Sequence, residues 1–208
     1  LVEQYPADRA GHGNLAVAYF YTLNFPKALE AGRRASQLYP ASLKLRNNVA
    51  LYAMYSGDFT SARAEAAKVL KADPAYYLAY VPLAMAAMAS SPDEAVAVYK
   101  RMAATGPRGA SRGATGLADL AMYQGRYTDA VAILLDAVAA DKASGDRSGM
   151  SSKYTMLAEA YVALGRTPLA ASAAQRALEA NRSESALLSA ARVLASVRRA
   201  PAARVLAA

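Results

Sequence analysis

One imidazole, His12, and no cysteine are all that this 208-residue chain offers for nucleophilic or soft-metal chemistry. Thiol catalysis, disulfide frameworks and Cys/His zinc sites are excluded, and a serine nucleophile would have to use His12. No Asp, Glu or Ser is repeated around His12 at a spacing that supplies a base or an orienting partner, so the residue reads as a packing group. The sequence therefore predicts no catalytic residue, no metal ligand and no cofactor, and the chain is read as not an enzyme. The glycine-rich run from Gly106 to Gly116 resembles a phosphate cradle only superficially. It lacks a following Gly-Lys-Ser/Thr and a preceding strand, and reads as a flexible boundary where Arg108 and Arg112 could meet an anion.

Charge gives a second lead. The formal net charge is +8, and Arg176, Arg182, Arg192, Arg198, Arg199 and Arg204 face only Glu179 and Glu184 at the C-terminal end. Anion or nucleic-acid binding through this basic surface is the alternative function, although helical charge runs are usually solvated faces and no nucleic-acid motif is visible. The third lead is apolar. Phe20, Met54, Met88 and Met122 recur at one constant interval, with Tyr21, Tyr55 and Tyr123 beside three of them. Methionine adapts its shape and tyrosine joins apolar area to a hydroxyl, a combination suited to holding a peptide. Methionines filling the core between helices is the competing reading.

These residues must be positioned by something that repeats. Leu15, Val49, Leu83 and Leu117 are 34 apart, with Ala16, Ala50, Ala84 and Ala118 in step; Leu157 and Ala158 follow after 40. A second comb runs through Ala28, Ala62, Ala95, Ala130 and Ala170, so each copy holds two amphipathic helices. Gly57, Gly125 and Gly165 fit the left-handed residue that ends the first helix, with Asn24 near the same role in copy one. Pro6, Pro40, Pro74 and Pro107 punctuate the copies. Small residues let the paired helices approach at the close end of the usual range, with Ala16 facing Ala28.

Copy two carries Gly57, Asp58, Phe59, Ala62, Leu70, Asp73 and Pro74 at spacings that resemble the tetratricopeptide repeat, and the pattern covers about Asp8 to Arg182. The resemblance implies an all-α, right-handed superhelical solenoid of about five helix pairs with partial terminal helices. Its copies fall at 9–42, 43–76, 77–109, 111–150 and 151–182, with a partial copy at 183–208. In that family the first helices line a concave, peptide-binding groove. A protein-interaction scaffold follows, binding a peptide or helix of a partner, or part of its own chain, through Phe20, Tyr21, Asn47, Met54, Tyr55, Met88, Met122 and Tyr123. The aromatic expected early in the first helix is His12, Arg46, Tyr80, Ala114 and Tyr154 in successive copies, which loosens that corner in copies two and four. Carboxylate-clamping residues are missing, so chaperone-tail binding is not implied.

Copy one also resembles repeats in the C-terminal regions of bacterial serine/threonine kinases, which implies a kinase domain upstream in a longer protein; composition points to a bacterial origin, and of the possible locations, which the sequence leaves open, the cytoplasm is favoured. The pattern is cut at both ends: Leu1 to Tyr5 reads as the tail of a preceding helix, and Pro201 to Ala208 as the start of a following one. Leu187, Leu188, Val193 and Leu194 then lack part of their packing, and self-association through such ends is expected. Asp141 to Ser152 exceeds the period by six residues and reads as a helix extension followed by a polar loop. No apolar run reaches the ~20 residues of a membrane-spanning helix.

Overall fold

Eleven α-helices, α1 to α11, follow one another through the described residues of the computed structural model, which are 9–206 for the backbone and 11–197 for side chains. They pair as α1 (Arg9–Tyr21) with α2 (Phe25–Leu38), α3 (Leu43–Tyr55) with α4 (Phe59–Ala72), and α5 (Tyr80–Met88) with α6 (Pro92–Ala103). Then come α7 (Pro107–Tyr123) with α8 (Tyr127–Ser144), α9 (Arg147–Ala163) with α10 (Thr167–Ala180), and the single α11 (Glu184–Leu206). No strand occurs among the described residues. The all-α array of five helix pairs and a terminal helix is as the repeat pattern predicts. The chain forms two compact units, 1–109 and 110–208.

Local chemistry sets the helix ends. Asn24, Ser42, Asp58 and Asp146 cap α2, α3, α4 and α9, each side chain accepting from a backbone N–H three residues on. Gly57, Gly125 and Gly165 take positive φ at the turns between paired helices. In copy one the left-handed residue is Leu23, at φ 59°, and Asn24 serves as the cap instead. The register explains this: Leu23 lies one repeat period before Gly57. A leucine there carries the steric conflict that glycine avoids.

In the first unit Ala16, Ala28, Ala50, Ala62, Ala84 and Ala95 are at most 1% exposed, forming the small-residue seams of three pairs. Gly32 extends the same economy to an aromatic: a Cβ there would lie 2.8 Å from the Tyr52 ring. Second helices are tied across copies by Arg33 to Asp58 at 3.3 Å and Arg63 to Glu94 at 2.7 Å. Both pairs are solvent-exposed and contribute little to stability. Copy three begins with a 3-10 turn, Tyr77–Ala79, and α5 is short; Pro82 sits in its first turn, where a missing N–H costs nothing.

The second unit packs around Ala118, Ala130, Leu134, Leu157, Ala158 and Ala170, all at most 1% exposed. Two expectations are corrected near its edges. The glycine-rich run is not a flexible boundary but the start of α7, and Gly109 is needed for closeness, since a Cβ there would lie 2.3 Å from the Met102 carbonyl oxygen. The proline at 201 does not start a new helix: α11 continues from Glu184 to Leu206, a stretch with no glycine and no capping residue after Ser196. Residues 1–8, including the expected tail of a preceding helix, lie outside the described residues.

The six-residue insertion keeps the helix extension expected of it, but the polar loop shrinks to a two-residue turn. It lengthens α8 to Ser144 and starts α9 at Arg147, with left-handed Gly145 and the cap Asp146 between them. Its anchor is a buried ion pair. Lys153 Nζ donates to Asp141 Oδ2 at 2.5 Å and to Ser111 Oγ at 2.7 Å, and the two charged side chains are 1% and 3% exposed. Gly149 has no Cβ because one would lie 2.5 Å from Asp141 Oδ2. A pair so buried depends on both members, for either alone would be an uncompensated charge.

Two stability changes follow, both read from urea denaturation midpoints. Lys153→Met leaves Asp141 buried without its partner and is expected to cost about 3–5 kcal/mol, while Lys153→Met with Asp141→Leu recovers most of that loss. Equal loss in the single and double variants would show that the pair does not act as a unit. Leu23→Gly removes the left-handed strain and is expected to raise stability by about 0.5–1 kcal/mol after the larger chain entropy of glycine is counted; an unmoved midpoint would mean the turn relaxes around leucine without strain.

Candidate functional site

The α1–α2 turn concentrates aromatic groups because Tyr21 and Phe25 are four residues apart and Tyr55 is one period beyond Tyr21. Phe20, at the end of α1, makes an edge contact with Tyr55 at 5.0 Å between ring centroids, and Phe25 stacks on Tyr55 at 5.3 Å with a 27° interplanar angle. Phe20 also lies 5.6 Å from Phe25 and 5.5 Å from Tyr52. Offset and edge-on rings at these separations attract beyond their buried area. Tyr52 forms the floor, and burial, with a lesser contribution from Tyr21, raises the pKa of its hydroxyl. Tyr21 and Tyr55 remain 79% and 50% exposed on top of it.

The other residues singled out in the sequence divide by environment. Met54 is half-buried and, like Phe20, packs against the first unit's core, and Met88 is half-buried at the end of α5. Asn47 is buried at 2% exposure, away from any surface role, and its Oδ1 has no hydrogen-bond partner. In the second unit Met122 is partly buried against the core while Tyr123 is 79% exposed. The structure thus brings Phe20, Tyr21 and Tyr55 together, with Met54 packed on the same core as Phe20. Phe25 belongs to the same cluster; its distance of four residues from Tyr21 is the signal that marks it.

A polar row on the second unit also escaped that reading. Asp119 on α7 and Glu159 on α9 occupy equivalent repeat positions, each directly following a seam alanine, Ala118 or Ala158. Glu159 is bridged by Arg192 of α11. Burial pushes the Asp119 carboxyl upward, with Arg112 opposing the shift and Glu159 adding to it. The basic C-terminal end is partly committed: Arg192 holds Glu159, and Arg176 lies 5.9 Å above the Tyr154 ring. Side chains of Arg198, Arg199 and Arg204 lie outside the described residues.

His12 is buried, as a packing residue should be, and borders an open cleft of about 900 Å³ on the first helix pair with Leu15, Tyr19, Lys27 and Glu30. Lys27 sits over the Tyr19 ring at 5.6 Å. Among the described residues no three His, Asp or Glu side chains gather as metal ligands, and no helix is long and apolar enough to cross a membrane.

This arrangement defines a class: helical hairpins joined through alanine seams, with exposed aromatics at a hairpin tip. Residues 50–110 match the tetratricopeptide repeat family model. Solved structures agree across the chain. A thermophilic tetratricopeptide repeat protein of Thermus thermophilus is 19% identical, with a TM-score of 0.71 over 91% of this chain and 99% of its own. A tetratricopeptide repeat protein from Parabacteroides merdae is 16% identical, with a TM-score of 0.72 over 95% and 73% of the two chains. An APC/C hetero-tetramer contains a chain 16% identical, with a TM-score of 0.64 over 93% of this chain and 38% of that one. No curated protein sequence matches. The chain has the fold of tetratricopeptide repeat proteins, and residues 50–110 carry the family's sequence pattern.

The orphaned Asn47 oxygen yields a prediction. Asn47→Leu replaces a buried, unsatisfied acceptor with an apolar group of similar size and is expected to raise stability by about 1 kcal/mol. Loss of stability in thermal unfolding would instead show that the carboxamide holds a structural contact.

Proposed function

We propose that this domain is a protein-interaction scaffold that takes an extended peptide or helix of a partner, or of its own longer chain, along its first helices. The observation that carries this reading is the aromatic cluster of Phe20, Phe25 and Tyr55, with Tyr21 and Tyr55 held in solvent. Rings exposed to this degree add little to the packing of their own unit, and tyrosines of this kind serve as anchors at interfaces because they offer large area with little rotamer entropy. Met54 and Met88 extend the apolar surface of the first unit, and Met122 and Tyr123 occupy the equivalent repeat positions in the second. Association into a hetero-tetramer by one structural relative fits the same use of the fold. No reaction is proposed. The basic-surface alternative is weakened by the commitment of Arg192 and Arg176 to neighbours within the unit.

Peptides selected by display on the immobilised domain provide the test. Tyr21→Ala with Tyr55→Ala is expected to weaken the selected peptides at least tenfold, which is about 1.4 kcal/mol, with the circular dichroism spectrum unchanged. Binding that survives the double variant but collapses as salt is raised would transfer the function to the basic surface.

A further inference from the structure

The last helix, α11, presents two unlike faces. Ala186, Ala190 and Val193 are 3%, 4% and 3% exposed, and Ala190 and Val193 join the core of the second unit with Val197 packed partly against it. On the opposite side Leu187, Leu188 and Leu194 stay 42%, 66% and 39% exposed, with Ala191 and Ala195 exposed between them. Val193, expected from the sequence to share their exposure, turns inward instead. Leu135 on α8 and Leu169 on α10 are exposed singly, whereas three leucines on one face of one helix make a continuous apolar stripe. A stripe of this kind marks an association surface. It is separate from the aromatic cluster, which belongs to the first unit.

The order of residues along the stripe indicates what covers it. Glu184, Leu187, Ala191, Leu194 and Arg198 follow one another at alternating intervals of three and four, the spacing of a two-helix seam. The row nearly mirrors itself about Ala191. Seven residues before Ala191 stands an acid, Glu184, and seven residues after it, further along the α11 backbone, a base, Arg198. Leu188 and Leu194 lie three residues to either side, and Leu187 and Ala195 four.

In an antiparallel pair of α11 helices crossing at Ala191, each residue before the crossing meets the residue the same distance after it on the other copy. Leu188 is then opposite Leu194, Leu187 opposite Ala195, and Glu184 opposite Arg198, each pairing occurring twice. A parallel pair would set Glu184 against Glu184 and Arg198 against Arg198, and like charges facing across a seam repel. Alanine at the crossing lets the two backbones approach closely, as it does at the seams inside the domain. Arg192, which borders the stripe, is already bridged to Glu159 of its own unit.

We infer that α11 is a self-association surface on which a second copy of this chain packs antiparallel, about a two-fold axis at Ala191. A contact of this kind uses the same patch on both partners and closes after two copies. It covers one helix face, less than the ~1,600 Å² of a standard interface, so monomer and dimer exchange in the micromolar range. Sedimentation velocity of the 208-residue chain between about 5 and 500 µM tests the pairing. The mass is expected to rise from monomer to dimer across this range. Leu188→Glu, at an exposed site, is expected to hold the chain monomeric with its circular dichroism spectrum unchanged. Glu184→Arg or Arg198→Glu alone is expected to weaken the dimer about tenfold, because two attractive pairs become repulsive, and the two changes together to restore it. The chain has no cysteine, so introduced ones report orientation. Ala191→Cys is expected to form an interchain disulfide on oxidation, and Glu184→Cys, more than about 20 Å from its counterpart in antiparallel order, is not. A monomer at the highest concentration assigns the stripe to another segment or partner and overturns the inference. So does a dimer that the charge exchange does not restore, or one that cross-links equally through position 184.

Discussion

The contact between alanines on paired helices is the constraint on which the rest of this molecule depends. With Ala16, Ala28, Ala50 and Ala62 almost fully excluded from water, helix axes approach closely and no larger side chain fits at the seam. The apolar bulk that a domain needs must then go elsewhere. In the first unit it goes to Tyr52, tucked over Gly32, and to the hairpin tip where Phe20, Phe25 and Tyr55 meet. Close packing inside the pairs thus places large rings at the ends of helices, where Tyr21 and Tyr55 stay in solvent.

Departures from the repeat carry the individuality of the domain. The insertion between α8 and α9 adds helical turns, and its buried Lys153, paired with Asp141, stands where the other copies have Gly11, Leu45, Ala79 and Gly113. Such a pair adds little net stability over well-packed apolar groups, but loss of either member leaves an uncompensated buried charge. Leu23 is a departure of the opposite sort: a residue with a steric penalty where copies two, four and five use glycine.

Periodicity made the fold legible. The alanine combs and turn glycines, recurring at one fixed spacing, identify paired helices without reference to any distant contact, because each copy packs mainly on its neighbours. Phe20, Tyr21 and Tyr55 could be grouped on the same basis. Three features could not. Asn47 has the type of a surface ligand, but its helix face points inward, and only coordinates show its oxygen without a partner. The glycine at 109 read as part of a flexible boundary and the one at 149 as part of a polar loop; both are close-approach sites, a distinction that depends on how near the neighbouring atoms lie to an absent Cβ. The second half of the insertion reads as a loop by composition, since Ser, Asp and Gly are turn formers; the buried partner of Lys153, on the preceding helix, is invisible to that local measure.

An interior built so heavily from alanine has a calorimetric consequence. Heat capacity on unfolding rises with newly exposed apolar area and falls with exposed polar backbone. Methyl side chains at the seams supply little of the former, while every helical residue supplies the latter. The domain should therefore lie below the usual ~12–15 cal/mol/K per residue, giving a shallow stability curve with its cold limb displaced far from ambient temperature. Alanine at the seam sets the temperature profile of the domain as well as the distance between its helices.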